Sequence, residues 1–157
     1  MSAILHTLHV VLAGAWLGGV VFTTLVVSPA LKAMKWPEPE RVLVRSAIGR
    51  RYAKVGGANL VLLLVFALLD GLAAGFGTAF YAGYALLGVV FCLVAAHGAY
   101  FGRRLANLAE AEKSAEHPEA ARALAERRRS LGRLSARASL ADLLVSAAIL
   151  VLAVNAA

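Results

Sequence analysis

The chain has a single cysteine, Cys92, so no internal disulfide can hold it together and a packed core has to do so. Buried lone cysteines behave as small apolar groups, and Cys92 in the middle of an apolar run fits that role. No nucleophile elbow, phosphate loop, CxxC or HExxH occurs anywhere, and no serine is set beside a histidine in a triad-like pattern, which argues against a hydrolase and leaves no enzyme class assigned. Basic residues are missing from the N-terminal segment, from the connection GLAAGFGTAF and from the C-terminal tail. Methionine is nearly missing too: only Met1 and Met34 are present, a poor supply of soft sulfur ligands for copper(I).

Apolar residues are what the chain has in excess. They make up 61% of the 157 residues, and the mean hydropathy of +0.75 is far above that of a soluble domain. A membrane-crossing helix needs roughly 20 mostly apolar residues to cover a hydrocarbon layer about 30 Å thick. Four stretches qualify, at about 3–31, 53–76, 79–101 and 138–157. The first lacks a basic start and outruns a signal's apolar core of about 7 to 15 residues, so it is expected to be retained. The expected fold is all-α: one integral membrane four-helix bundle over 1–157, too short for a second domain.

Of the 16 Lys and Arg, seven lie between Lys32 and Lys54 and nine between Arg103 and Arg137. The positive-inside rule then places both basic segments in the cytoplasm and both termini outside, in the inner (cytoplasmic) membrane of the cell. The net charge of +7 is confined to these juxtamembrane segments and lacks an aromatic recognition module, so anionic lipid headgroups are the expected partner and nucleic acid is not. The segment 103–137 is rich in Ala, Leu, Glu and Arg and is broken at His117-Pro118. It predicts that helices three and four run past the membrane as a cytoplasmic helical hairpin. Leu124, Leu131, Leu134 and Ala138 form one stripe, facing Leu105, Leu108, Ala109 and Ala115.

With that orientation the intramembrane polar residues sort by depth. His6, His9 and Asp70 fall in an outer layer, and His97 and Asp142 in an inner layer where they are expected to form a polar pair. His9 and His97 differ in height by roughly 15 to 18 Å, too far to grip one haem iron between them. His6 and His9, at i and i+3, share a helix face, and neutral imidazoles so spaced, with Asp70 as an oxygen ligand, suit copper or zinc. Ionisable groups within a membrane are costly enough to suggest function, although interfacial placement or simple hydrogen bonding is the competing reading. Gly14 with Gly18, Gly71 with Gly75, and Gly98 with Gly102 have the small-xxx-small spacing of closely packed helices, with Gly19 beside them and Trp16 buried between spans. A homo-oligomer or a membrane-protein partner is left open.

The run LHVVLAGAWLGGVVFTTLVVSPAL, Leu8 to Leu31, resembles the first span of the CopD-like copper-resistance membrane proteins. There a histidine is followed seven residues later by tryptophan and then Leu-Gly-Gly, as in His9, Trp16, Leu17, Gly18 and Gly19. The same spacing is similar to that of HemJ-type protoporphyrinogen oxidases, whose first-span histidine is a haem ligand. GRRYAKVGGANLVLL, Gly49 to Leu63, resembles the second span of small four-span relatives. The resemblance implies copper handling or a b-type haem, with His9 as the ligand. Three functions are therefore expected in order: a metal- or haem-binding membrane protein, a scaffold or accessory subunit whose hairpin holds a partner, and a quinone-linked haem oxidoreductase.

Overall fold

In a computed structural model, which describes residues 2–155, the chain forms four continuous helices long and apolar enough to cross a membrane: α1 (Ala3–Ala33), α2 (Glu38–Ala74), α3 (Thr78–Lys113) and α4 (Pro118–Val154). No strand occurs among the described residues. The last two residues of the span expected at 138–157 lie outside them. Helices of 36 and 37 residues are about 54 to 56 Å long at about 1.5 Å per residue, well beyond the hydrocarbon thickness of about 30 Å. The surplus of α2, α3 and α4 gathers at the basic end of the bundle.

The breaks follow the local chemistry. Trp36 and Glu38 each precede a proline, which disfavours helical backbone; Met34 is extended at ψ 139°, and α2 begins with Pro39 in its first turn beside Glu38 and Glu40. At the far end α2 stops at Gly75, whose φ of 90° is open to glycine at little cost, and whose N–H donates to the Gly71 carbonyl. His117-Pro118 starts α4 with extended backbone at His117 and Glu119 in the first turn. Two wider π-helical turns interrupt the regular winding, Phe22–Val27 in α1 and Ala96–Gly102 in α3. In the first, both the N–H and the hydroxyl of Ser28 reach back five residues to the Thr23 carbonyl.

Helix α1 packs on α2 and α4, and α4 packs on α3, while α2 and α3 meet chiefly at the basic end. The core between them is Ala13, Trp16, Val20, Leu60, Leu63, Ala67, Leu87, Val90, Ile149 and Ala153. Exposed side chains such as Val61, Leu68, Leu72, Leu144 and Val151 cover the outside, where lipid replaces water as the contact.

Two expectations change here. The predicted hairpin is present, but residues 38–52 are also helical, so the basic end is built from three helices. The first basic segment carries Arg41, Arg45, Arg50 and Arg51, and its helix is held against the hairpin by charge. Buried Arg128 of α4 pairs with Glu112 of α3 at 2.7 Å and with Glu38 of α2 at 2.9 Å. Arg128 beside it holds the Glu38 carboxyl below its usual value of 4.5, and Glu38 in turn raises Arg128. The expected leucine seam closes only in part: Ala109 is fully buried, whereas Leu108, Leu131 and Leu134 line a groove.

The glycine expectation also divides. Gly14 and Gly18 face open space and bring no helix of this chain close. The close approaches are at Gly19 and Gly56, which make room for the Tyr52 ring, and at Gly71, which makes room for Phe76 and Tyr84. Any side chain at Gly19 collides with the Tyr52 hydroxyl end.

Candidate metal centre

The end of the bundle opposite the arginines brings three of the predicted residues together. His6 and His9 lie on one face of α1, as i, i+3 spacing requires, and Asp70 lies four residues before the end of α2. Each imidazole Nδ1 is 3.0 Å from Oδ2 of Asp70, so a single carboxylate oxygen accepts from both rings. The donor atoms of the three residues all lie within 4.8 Å of one another. Asp70 is 2% exposed and the His9 side chain 7%, whereas the His6 side chain is 25% exposed and forms the open side of the cluster.

Aromatic rings wall the cluster. His9 stacks on Phe80 at 6.5 Å and 24°, Phe76 meets Phe80 edge-on, and the Tyr84 hydroxyl donates to the Ala67 carbonyl at 3.0 Å. The cleft beside His9, between Phe80, Tyr84, Ile149 and Ala153, holds about 10 Å³, room for roughly one water. Among the described residues no lysine or arginine reaches Asp70. A carboxylate this buried is costly unless it is hydrogen-bonded and its charge is balanced, which a bound cation would do.

The second predicted layer is not one site. His97 does not bond Asp142: its Nδ1–H donates to the Leu93 carbonyl at 3.3 Å, and its Nε2 sits 3.0 Å from Ser139 Oγ and 3.5 Å from Ser135 Oγ. This tautomer is assigned from the acceptor carbonyl at Nδ1. His97 lies within the π-helical turn of α3 and packs on Phe101. Asp142 belongs to a different chain of bonds, in which the Trp16 indole N–H donates to Ser146 Oγ at 2.9 Å and Ser146 donates to Asp142 at 3.4 Å. Serines on the same face of α4 intercept each expected partner: Ser139, three positions before Asp142, takes His97, and Ser146, four positions after it, takes Asp142.

The two groups do lie at different heights in the bundle. His9 is level with Ile149 and Ala153 on α4, and His97 with Ser139, a separation of ten to fourteen positions or roughly 15 to 21 Å. Sequence reasoning missed Ser146, Ser135, Ser139 and Arg128, and also Asn59, whose amide donates to the Leu12 carbonyl at 3.1 Å and pins α2 to α1. Asn59 had a signal, a lone amide within an apolar run; Arg128, the middle of three consecutive arginines, and the serines had none.

Residues 11–114 match the family described as "Domain of unknown function (DUF4149)". The matched stretch takes in Asp70 and His97 and begins two residues after His9. No curated protein and no solved structure matches this chain. The likeness of its first span to the copper-resistance and haem-oxidase families gains no support from these comparisons.

Proposed function

The chain belongs to the DUF4149 family, and from the site it builds we propose that it is a multi-pass membrane protein that binds one borderline divalent transition-metal ion, zinc or copper(II), at His6, His9 and Asp70. The observation that carries this reading is the convergence of two imidazoles on one oxygen of a carboxylate that no fixed cation neutralises.

Two nitrogens and an oxygen are the donor set that zinc and copper(II) favour. A tetrahedral ion bonded at about 2.0 to 2.1 Å holds its donors about 3.3 Å apart, so nitrogen–oxygen separations of 3.0 Å need only a few tenths of an ångström of widening. Imidazole and carboxylate ligands bind an ion only in their deprotonated forms, so affinity falls as pH falls. The partly exposed His6 gives the ion a way in and leaves a fourth position for water or a donor from outside. Room for about one water beside His9 suits an ion better than a macrocycle, which favours metal over b-type haem and over a haem-based oxidoreductase. The basic residues at the opposite end support, by the positive-inside rule, an outer position for the site.

The test is calorimetric titration of zinc and copper(II) into the detergent-purified full chain. One equivalent is expected to bind, His9→Ala and Asp70→Asn each weakening it at least tenfold, while His97→Ala leaves it unchanged. Equal binding by all four proteins, or none by any, refutes the reading. In the latter case the bonds at Asp70 serve only to pin α1 to α2.

A further inference from the structure

The arginines of the hairpin are sorted in a way that the metal reading does not use. Arg128 is turned inward and neutralised by Glu112 and Glu38. By contrast, Arg104, Arg127, Arg133 and Arg137 surround one groove of about 610 Å³ on the flank of the α3–α4 hairpin, completed on its apolar side chiefly by Tyr100 and Leu134. No acidic side chain lines it, and none of the four arginines forms an ion pair among the described residues.

Four guanidinium groups around one hollow repel one another unless an anion sits among them. The level of the groove says which anion. Ser139 and His97 bond to each other near the end of the apolar stretches. Arg137 lies two positions beyond Ser139 and Arg104 seven beyond His97, about 3 and 10 Å along the helices. The polar headgroup layer, about 5 to 7 Å deep on each side of the hydrocarbon, falls at that height. Tyr100, 57% exposed and three positions beyond His97, about 5 Å, gives an aromatic lip where headgroup meets acyl chain, and the 52% exposed Leu134 continues the apolar wall further out.

We propose that this groove binds the headgroup of an anionic phospholipid. Arg104, Arg133 and Arg137 take its phosphate oxygens in paired N–H donations, and the glycerol and first acyl carbons rest on Tyr100. The apolar lip and the height of the groove favour a lipid over a free phosphate ester.

The experiment places the full chain in nanodiscs of phosphatidylcholine with phosphatidylglycerol, releases it into mild detergent, and counts retained lipid by native mass spectrometry. Retention of one phosphatidylglycerol is expected, reduced at least fivefold by Arg104→Gln or Arg137→Gln, and unchanged by Arg50→Gln with Arg51→Gln, which removes two exposed charges outside the groove. Gel filtration and circular dichroism check that each variant is folded, and substitution at exposed positions keeps it so. Equal loss in the control variant means diffuse attraction and overturns the proposal. Equal retention of phosphatidylcholine overturns it too. Displacement of the lipid by inorganic phosphate at millimolar concentration assigns the groove to a soluble anion instead. Co-purification of an acidic protein, lost in Arg104→Gln and Arg137→Gln while lipid content stays the same, assigns it to a protein partner.

Discussion

At the scale of single residues, stability and binding meet at Asp70. Two imidazole N–H groups depend on one oxygen of a carboxylate that is 2% exposed. Asp70→Ala should cost about 2 to 4 kcal/mol, because it leaves both donors unpaired in addition to losing the bonds. Denaturant unfolding in micelles measures this, and the loss should be larger than for His6→Ala, whose ring is partly exposed. Ser146→Ala is a milder case. It strips the buried Trp16 indole of its acceptor, should cost about 1 kcal/mol, and should change Trp16 emission without touching metal affinity. Why His6, His9 and Asp70 were readable together while His97 and Asp142 were misjoined has a physical reason. Height in a bundle follows from residue number, but azimuth follows from which helix faces which. Both pairs of elements, α1 with α2 and α3 with α4, are chain neighbours joined by four-residue connections, so adjacency does not separate the two cases. The second pairing depended on the serines that α4 itself presents to His97.

At the scale of helices, close packing depends on specific glycines rather than on every small-residue spacing. Gly19→Leu should destabilise the protein by about 2 to 3 kcal/mol, since Tyr52 has to leave its place against α1. Gly18→Ala meets nothing and should be neutral or slightly stabilising through helix propensity. Thermal unfolding of the two variants side by side checks the contrast, and equal effects would contradict it. The four helices were legible from hydropathy and the His117-Pro118 break from proline chemistry. The helical run of residues 38–52 was not, because its amphipathic face is satisfied by tertiary contact with the hairpin and by the Glu38–Arg128 pair, which sequence spacing does not reveal.

At the scale of the whole molecule, two polar ends are separated by an apolar core. The basic end is tied by charge and is therefore acid-sensitive. Glu38 is held below its ordinary value by Arg128, so its contribution is fully present above about pH 4.5 and is lost as pH falls through the lower folded-state value. Because the Glu38 side chain is 40% exposed, screening keeps that contribution below about 1 kcal/mol. The thermal midpoint should fall between about pH 5 and pH 3, and Glu38→Gln should flatten that part of the profile. Arg128→Ala should be worse at neutral pH, by about 2 kcal/mol, because Glu112 and Glu38 are then left without the charge between them.

The account as a whole stands on the ligation of an ion by α1 and α2 at the end away from the arginines. X-ray absorption at the zinc edge of the loaded protein tests this most directly. The expected spectrum has two imidazole nitrogens and a carboxylate oxygen at about 2.0 to 2.1 Å, and loses the imidazole multiple scattering in the double variant His6→Ala, His9→Ala. A zinc environment without imidazole, or one that the double variant leaves as it was, would contradict it.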